Sequence, residues 1–322
     1  MKKFFFTLVA IMTATLSFAQ NTLVATLTHG DKVSVYYGAD AFMNAHNTAV
    51  SGDVINLSGG TFTVSEITKA VTIRGAGINE TNISNNNSST YIDISTTDTC
   101  QLVIECIRFT DRVYFKGTSS NTLFNKCNFT NSSDGIYFDS NSYHENLKFV
   151  NCNIMRFSGW GTNSVKLIHC RINSSFQGSS SIQLLNCVVA GSFVNFPPSA
   201  TFVNCILRDN YGGSATLPSN NIAMNCVAIA SSSDPYANMQ SNKVDCVKST
   251  IENVFSNTDT YELTDYAKSN YLGTDGTEVG LYGGIYPYNT TPTYPRITNL
   301  TVDKQTTADD KLNVEIEVSS AE

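Results

Sequence analysis

Apolar and polar positions recur along this chain in one short phrase: an apolar residue, one or two spacers, a polar residue, Cys, a spacer, then usually another apolar residue. It reads Phe124-Asn125-Lys126-Cys127-Asn128-Phe129, then Phe149-Val150-Asn151-Cys152-Asn153-Ile154, then Leu167-Ile168-His169-Cys170-Arg171-Ile172. Leu184-Leu185-Asn186-Cys187-Val188-Val189 and Phe202-Val203-Asn204-Cys205-Ile206-Leu207 follow, with fainter copies around Cys226 and Cys246. Successive cysteines lie 25, 18, 17, 18, 21 and 20 residues apart. Repeats of this length without helical periodicity predict stacked β coils that bury their apolar faces against one another. Period two puts each Cys and the apolar residue two places on onto the same, inward face. The polar residue before Cys breaks the alternation and is expected at a bend, where Asn tolerates left-handed backbone better than most residues. Asn151, Asn186, Asn204 and Asn225 should therefore stack as a hydrogen-bonded ladder at one corner, sharing their column with Lys126, His169 and Asp245. One coil earlier, Ile107 aligns with the cysteine column, so Cys106 falls on the bend and Cys100 lies outside the pattern.

The first part of the chain leads into these coils. Lys32-Val33-Ser34-Val35-Tyr36 alternates as a strand, residues 39–47 carry a short amphipathic helix pattern, and Ser51-Gly52-Asp53 turns into Val54-Ile55-Asn56-Leu57. Gly59-Gly60 then leads into Thr61-Phe62-Thr63-Val64, and residues 70–77 give a strand ending in Gly75-Ala76-Gly77. This order resembles the opening of the secreted right-handed parallel β-helices of the pectate-lyase-like superfamily, and the resemblance runs through the repeats to about Tyr288. It implies an all-β fold: a right-handed parallel β-helix solenoid, an N-terminal capping helix, and a glycine-rich last coil at 273–284 that closes the core. The superfamily spans lyases, hydrolases, adhesins and proteins with no known reaction, so the resemblance implies a fold and leaves the activity open. Three segments are expected: a signal peptide at 1–20, the β-helix at 21–288, and a short C-terminal β tail or cap at 289–322 with strand candidates at 297–302 and 312–318.

The signal peptide rests on Lys2-Lys3, the apolar run at 4–16 and the small-residue exit Ser17-Phe18-Ala19. No later stretch approaches the ~20 apolar residues of a transmembrane helix. The expected location is secreted, periplasmic or cell-surface. Without the signal, 18 basic side chains face 27 acidic ones, a formal balance of −9, which argues against nucleic acid or an anionic membrane as partner. Nine cysteines in an exported chain would suggest disulfides, but an odd count cannot pair completely. Thiols stacked one strand spacing apart, ~4.8 Å, are also poorly placed to bond. They are expected as buried free thiols that behave as small apolar residues.

Solenoid function resides on outward residues, because inward ones are packing. Aligning Val113-Tyr114-Phe115-Lys116 with Ile136-Tyr137-Phe138-Asp139 turns the apolar residues in, stacks Tyr114 outside on Tyr137, and places Lys116 on Asp139. Together with Arg156 and the only tryptophan, Trp160, these residues make a candidate glycan-binding face: Tyr114, Tyr137, Arg156 and Trp160 supply flat rings and polar groups for sugar hydroxyls. The plainer reading is that tyrosine is a good strand former and Trp160 fills a turn.

Asp134, Asp139, His144 and Glu145 form the candidate catalytic or calcium cluster. A glycosidase would use a carboxylate pair, here Asp134 with Asp139. A lyase would use a base, for which Lys116, Arg112 and Arg156 are the candidates. The stretch Asn131 to Ile136 resembles an Asn-x-Asp-Gly element of polygalacturonases, but the later Asp pair, Gly-His-Gly and Arg-x-Lys of that pattern are missing. No metal site or cofactor is predicted; calcium would need matching acidic residues on adjacent coils, and none is visible. His29, His46 and His169 fall at structural positions. The expected function is a glycan-binding or surface-display role without catalysis, with an extracellular polysaccharide or cell-surface glycan as partner. The alternatives are a polysaccharide lyase or glycoside hydrolase, and a structural or adhesin-like solenoid with no small ligand.

Overall fold

A computed structural model describes residues 23–85, 91–96, 99–140, 143–178, 181–210, 216–231, 234–302 and 314–319. The expected signal peptide lies outside the described residues, as do Leu312 and Asn313 of the last strand candidate. The protein is an all-β parallel solenoid of about nine turns with few helices. In the first sheet, parallel strands stack in the order Val54–Leu57, Thr72–Arg74, Leu102–Glu105, Ser119–Asn125, Tyr143–Val150, Thr162–Ile168, Ser181–Leu185, Thr201–Val203, Ile222–Met224 and Lys243–Val244. Val24–His29 and Lys32–Tyr37 extend its N-terminal edge as an antiparallel pair. The helix Ala41–Thr48 buries Phe42, Ala45 and His46, the first two in the same core as Ile55 and Phe62.

The second sheet forks. Its main path runs from Gly60–Thr63 through Thr81–Ser84, Arg108–Phe109, Asn128–Phe129, Asn153–Gly159, Arg171–Gly178, Val188–Gly191, Ile206–Asp209 and Val227–Ile229 to Val247–Ser249. A branch of Glu66–Ile67, Tyr91–Ile94, Arg112–Phe115 and Ile136–Phe138 joins Asn153–Gly159 at Phe157 and Ser158. The lower, N-terminal coils therefore have three strand faces. Each contributes a phenylalanine pair to the core: Phe109 on Phe129 (5.2 Å, 6°), Phe124 on Phe149 (5.2 Å, 1°) and Phe115 on Phe138 (4.6 Å, 12°). All six rings are fully buried, at roughly 1.5–3 kcal/mol each.

One residue carries the chain round the corner between the two sheets. The register Arg74, Glu105, Asn125, Val150, Ile168, Leu185, Val203, Met224, Val244 fixes the column that follows it as Gly75, Cys106, Lys126, Asn151, His169, Asn186, Asn204, Asn225, Asp245. Every one of these from Cys106 onward has φ between 49° and 57°. The expected bend column is thus observed residue for residue, Cys106 included. Left-handed backbone costs a non-glycine residue roughly 1–2 kcal/mol, less for Asn. Ladder bonds that continue across the corner offset it, as in Asn151 N–H to Ile168 O (3.0 Å) and Asn204 N–H to Met224 O (2.9 Å).

All nine cysteines are free thiols. Cys127, Cys152, Cys170, Cys187, Cys205 and Cys226 are buried just past the corner. Each points its thiol at main-chain carbonyls, as Cys170 Sγ does at Ile168 O and Phe149 O, both 3.3 Å away. Burial pushes the Cys152, Cys170, Cys187, Cys205 and Cys226 thiols well above their ordinary pKa.

After Ser249 the chain leaves the coils and covers them. The short helices Ile251–Val254 and Asp265–Asn270, with the hairpin Phe255–Asn257 and Glu262–Leu263, bury Val254, Phe255, Tyr261, Leu263 and Ala267 against Val188, Ile206 and Val227 on the outside of the second sheet. The glycine-rich stretch 273–284 is then not a last coil, contrary to expectation, for it adds no strand to either main sheet. Residues 272–294 instead form a strap that runs back down the corner. Asn225 Nδ2 donates to Leu272 O (3.0 Å), Asn204 Oδ1 accepts from Thr274 N–H (2.9 Å), and His169 Nδ1 donates to Leu281 O (3.0 Å). Asn151 Oδ1 accepts from Asn289 N–H (3.3 Å), Lys126 Nζ reaches Thr291 O, and the Tyr294 hydroxyl reaches Gly75 O. The corner side chains therefore bond chiefly to the strap; between asparagines of the column the contact is Asn204 Nδ2 to Asn186 Oδ1, at 3.5 Å. Gly280 shows why glycines recur here: its φ is +83° and a Cβ would stand 2.8 Å from Ile206 Cδ1. Beyond the strap, Arg296–Val302 and Val314–Ser319 pair as an antiparallel hairpin.

Candidate functional site

The forked branch carries the site. Alternation turns Ile92, Ile94, Val113, Phe115, Ile136 and Phe138 fully inward, which leaves Tyr91, Asp93, Arg112, Tyr114 and Tyr137 outside. Tyr137 stands on Tyr114, as the sequence predicts, with ring centres 5.5 Å apart and planes tilted by 46°. The stack goes one ring further: Tyr91 lies 5.6 Å from Tyr114 at a tilt of 48°. The Arg112 guanidinium sits over both flanking rings, 4.8 Å from Tyr91 and 5.4 Å from Tyr137, a pair of cation–π contacts. Its Nη2 donates to Asp134 Oδ2 at 2.7 Å. Asp134 Oδ1 accepts from Ser158 Oγ (2.8 Å), which in turn accepts from Gln177 Nε2 (3.1 Å).

This network decides what the candidate residues can do. Both oxygens of Asp134 are engaged, so it acts as the clamp that holds Arg112 between the rings. Lys116 aligns with Asp139 but turns to Asp93, 3.4 Å away. Asp139 binds the Tyr114 hydroxyl; burial first, then the charge and hydrogen bond of Asp139, raises the Tyr114 pKa. Arg156 stands in the next outward column, pairing with Ser175, and its carbonyl lies close over Gly135. Trp160, 37% exposed, follows the strand end two residues beyond Ser158, the residue that pairs with Tyr137. Tyr114, Tyr137, Lys116, Asp134 and Asp139 thus share one face, with Arg156 and Trp160 along its upper border.

The expected cluster of Asp134, Asp139, His144 and Glu145 does not form. His144 points inward, edge-on to Phe115 (5.8 Å, 69°) and tilted against Phe138 (5.3 Å), with no hydrogen-bond partner on either ring nitrogen. Burial lowers its pKa to about 4. Glu145 is exposed on the first sheet, where it accepts from the Tyr143 hydroxyl at 3.2 Å. The other histidines serve structure: His46, also lowered to about 4 by burial, accepts from Thr68 N–H (3.3 Å), and His29 pairs with Asp53 (2.7 Å). Among the described residues no group of three His, Cys, Asp or Glu side chains could hold a metal ion. Nor is any helix there long and apolar enough to cross a membrane.

Sequence reasoning missed Tyr91 and Asp93. The signal was present, since Tyr91-Ile92-Asp93-Ile94 repeats the out-in-out-in pattern of Arg112-Val113-Tyr114-Phe115. A cavity of about 720 Å³ lies elsewhere, between the end of the strap and the first coils, lined by Asn56, Arg74, Glu80 and Tyr294. Its arginine is already spent on structure, because Arg74 pairs with Glu105 (3.2 Å) and lies over the Tyr294 ring. No family model, curated protein or solved structure matches this chain.

Proposed function

We propose that the chain is an exported right-handed parallel β-helix, related to the pectate-lyase-like superfamily, that holds a glycan chain along its tyrosine face without cleaving it. The helix Ala41–Thr48 would close the N-terminal end, and the stacked thiols and corner asparagines would keep the coils in register. The observation that carries the binding reading is the Tyr91, Tyr114, Tyr137 stack with Arg112 clamped in it. Three rings held rigid at ~5.5 Å intervals present apolar surface at low entropic cost, and the carboxylates of Asp93 and Asp139 and the Lys116 amine flank them as partners for hydroxyls. Binding rather than turnover is favoured because the expected carboxylate pair, Asp134 and Asp139, has a member, Asp134, whose two oxygens are both committed to Arg112 and Ser158, and Asp93 is paired with Lys116. A surface-display role is the same reading with the glycan on a cell or matrix.

The test is a polysaccharide panel, neutral and acidic, assayed for binding and for release of reducing or unsaturated ends. Binding by wild type that Tyr137→Ala weakens about tenfold, ~1.4 kcal/mol, supports the reading. Binding to none of the panel, or binding that Tyr137→Ala leaves untouched, overturns it. Release of new chain ends would establish a lyase or hydrolase in its place.

A further inference from the structure

A second face of the solenoid carries a different signal. In the first sheet the residue before each corner points outward, and in the lower coils it is Arg74, Glu105 or Asn125. From the next coil on it is Val150, Ile168, Leu185, Val203, Met224 and Val244. Six coils at a spacing of ~4.8 Å make an apolar stripe about 24 Å long. The strap walls one side of it with Ile285 and Tyr286, which are 85% and 81% exposed. The groove between, about 440 Å³, is lined by Val150, Ile168 and Leu185 below and by Ile285 and Tyr286 beside. Lys148 and Lys166, neighbours in register, rim the opposite side, while Asp275 lines the groove on the strap side. The other apolar outward column of the upper coils, Val188, Ile206 and Val227, is buried under residues 250–282.

We propose that this stripe and its strap wall form the interface of a homodimer, covered by a second copy of the chain. Two features select that occupant. The patch holds a groove and a protruding apolar wall side by side, so it is complementary to itself, as an isologous two-fold contact requires. Charge fixes the direction of the axis: a two-fold parallel to the coil axis exchanges left and right, which lays each copy's Lys148 and Lys166 against the Asp275 side of the other. An axis across the stripe would keep the lysine side on the lysine side and the Asp275 side on the Asp275 side, so the opposite charges would not meet. The strands beneath, up to Ile222–Met224, are paired on both sides, so the partner meets side chains there and adds no strand; Lys243–Val244 ends the sheet.

Sedimentation velocity over a micromolar concentration series tests this with the full mature chain. Wild type is expected to sediment as a dimer, and Ile285→Asp with Tyr286→Ser as a monomer; both side chains are exposed, so the fold and its circular dichroism are retained. Lys166→Glu, which opposes a carboxylate to Asp275, is expected to raise the dissociation constant at least tenfold. A carbodiimide should join Lys166 to Asp275 in a product of twice the chain mass. A wild type that stays monomeric, or a dimer that survives both variants, overturns the proposal.

Discussion

The lower coils, up to Phe138, and the upper coils, from Val188 onward, share one inward code and carry opposite outward ones. Inside, both alternate apolar residues at period two around the same left-handed corner. Outside, the column that follows the cysteine position reads Asn82, Arg108, Asn128, Asn153, Arg171 and then Val188, Ile206, Val227. The polar part faces solvent or bonds laterally, as Asn153 does to Asn128 at 2.9 Å, up to Arg171, which at the boundary donates to Asp259 O of the cover (2.9 Å); the apolar part lies under the short helices and strap. Inward residues make the coil, and outward residues record what each coil is covered by. The aromatic face belongs to the lower coils, where the branch of the second sheet leaves strands free to display it.

The sharpest way to break this contrast is to place the same charge in the same column of each half. Ile206→Asp buries a carboxylate with no partner and is expected to cost upwards of ~4 kcal/mol in urea unfolding, while Asn128→Asp stays within ~0.5 kcal/mol. Equal costs would mean that the upper column is not covered. Acid comes next, and it enters where His144 packs on Phe115 and Phe138 of the lower coils. Above pH ~6.5 His144 is neutral in both the folded and the unfolded chain. As the pH falls toward about 4 only the unfolded chain takes up the proton, so stability drops by roughly 3 kcal/mol and then levels off. His144→Leu should flatten that part of a pH–stability curve, leaving a similar contribution from His46. If the curve keeps its slope, His144 is not buried as a neutral ring.

The strap gives a smaller effect, confined to the upper half. Asn204→Ala removes the bonds to Thr274 and puts a Cβ residue with no local hydrogen bond at φ 54°, for about 2 kcal/mol; Asn204→Gly relieves the backbone and should cost about half as much. Hydrogen exchange would show added local opening around 201–230, and no opening there beyond the change in global stability would contradict the assignment. Smallest of all is the response to a reductant. Removing a native disulfide typically costs 2–5 kcal/mol, whereas free thiols give nothing to reduce, so dithiothreitol should leave the melting temperature of both halves unchanged.

The corner column was legible from the sequence because Asn, Cys and the apolar residues around them repeat in one register, and left-handed backbone selects its residues locally. Tyr114 and Tyr137 were legible for a similar reason, two adjacent coils with identical alternation. His144 was not. Counting back from Phe149 at period two turns His144 outward, but Asn146 has φ 51° and the register shifts between His144 and Leu147. That bulge reverses the parity of everything before it. Asn121 in the coil below also has positive φ and receives a hydrogen bond from Asn146 Nδ2 at 2.7 Å, so the irregularity is itself stacked. The strap was hidden for another reason. Its partners lie 47 to 219 residues away in the chain, and the local signal, glycines at 273–284, is shared by a closing coil and by a chain crossing other chains closely.

A solenoid without such a strap is a row of units in which each touches only the next, and a row of that kind frays from its ends. Here one segment is fastened at Asn225 near one end and at Gly75 near the other, with Asn204, His169, Asn151 and Lys126 between. Loosening either terminal coil strips bonds from a segment that the middle coils also hold. The protein should therefore melt as a single cooperative unit, with the coil at Gly75 and the coil at Asn225 losing structure at the same temperature although they share no direct contact.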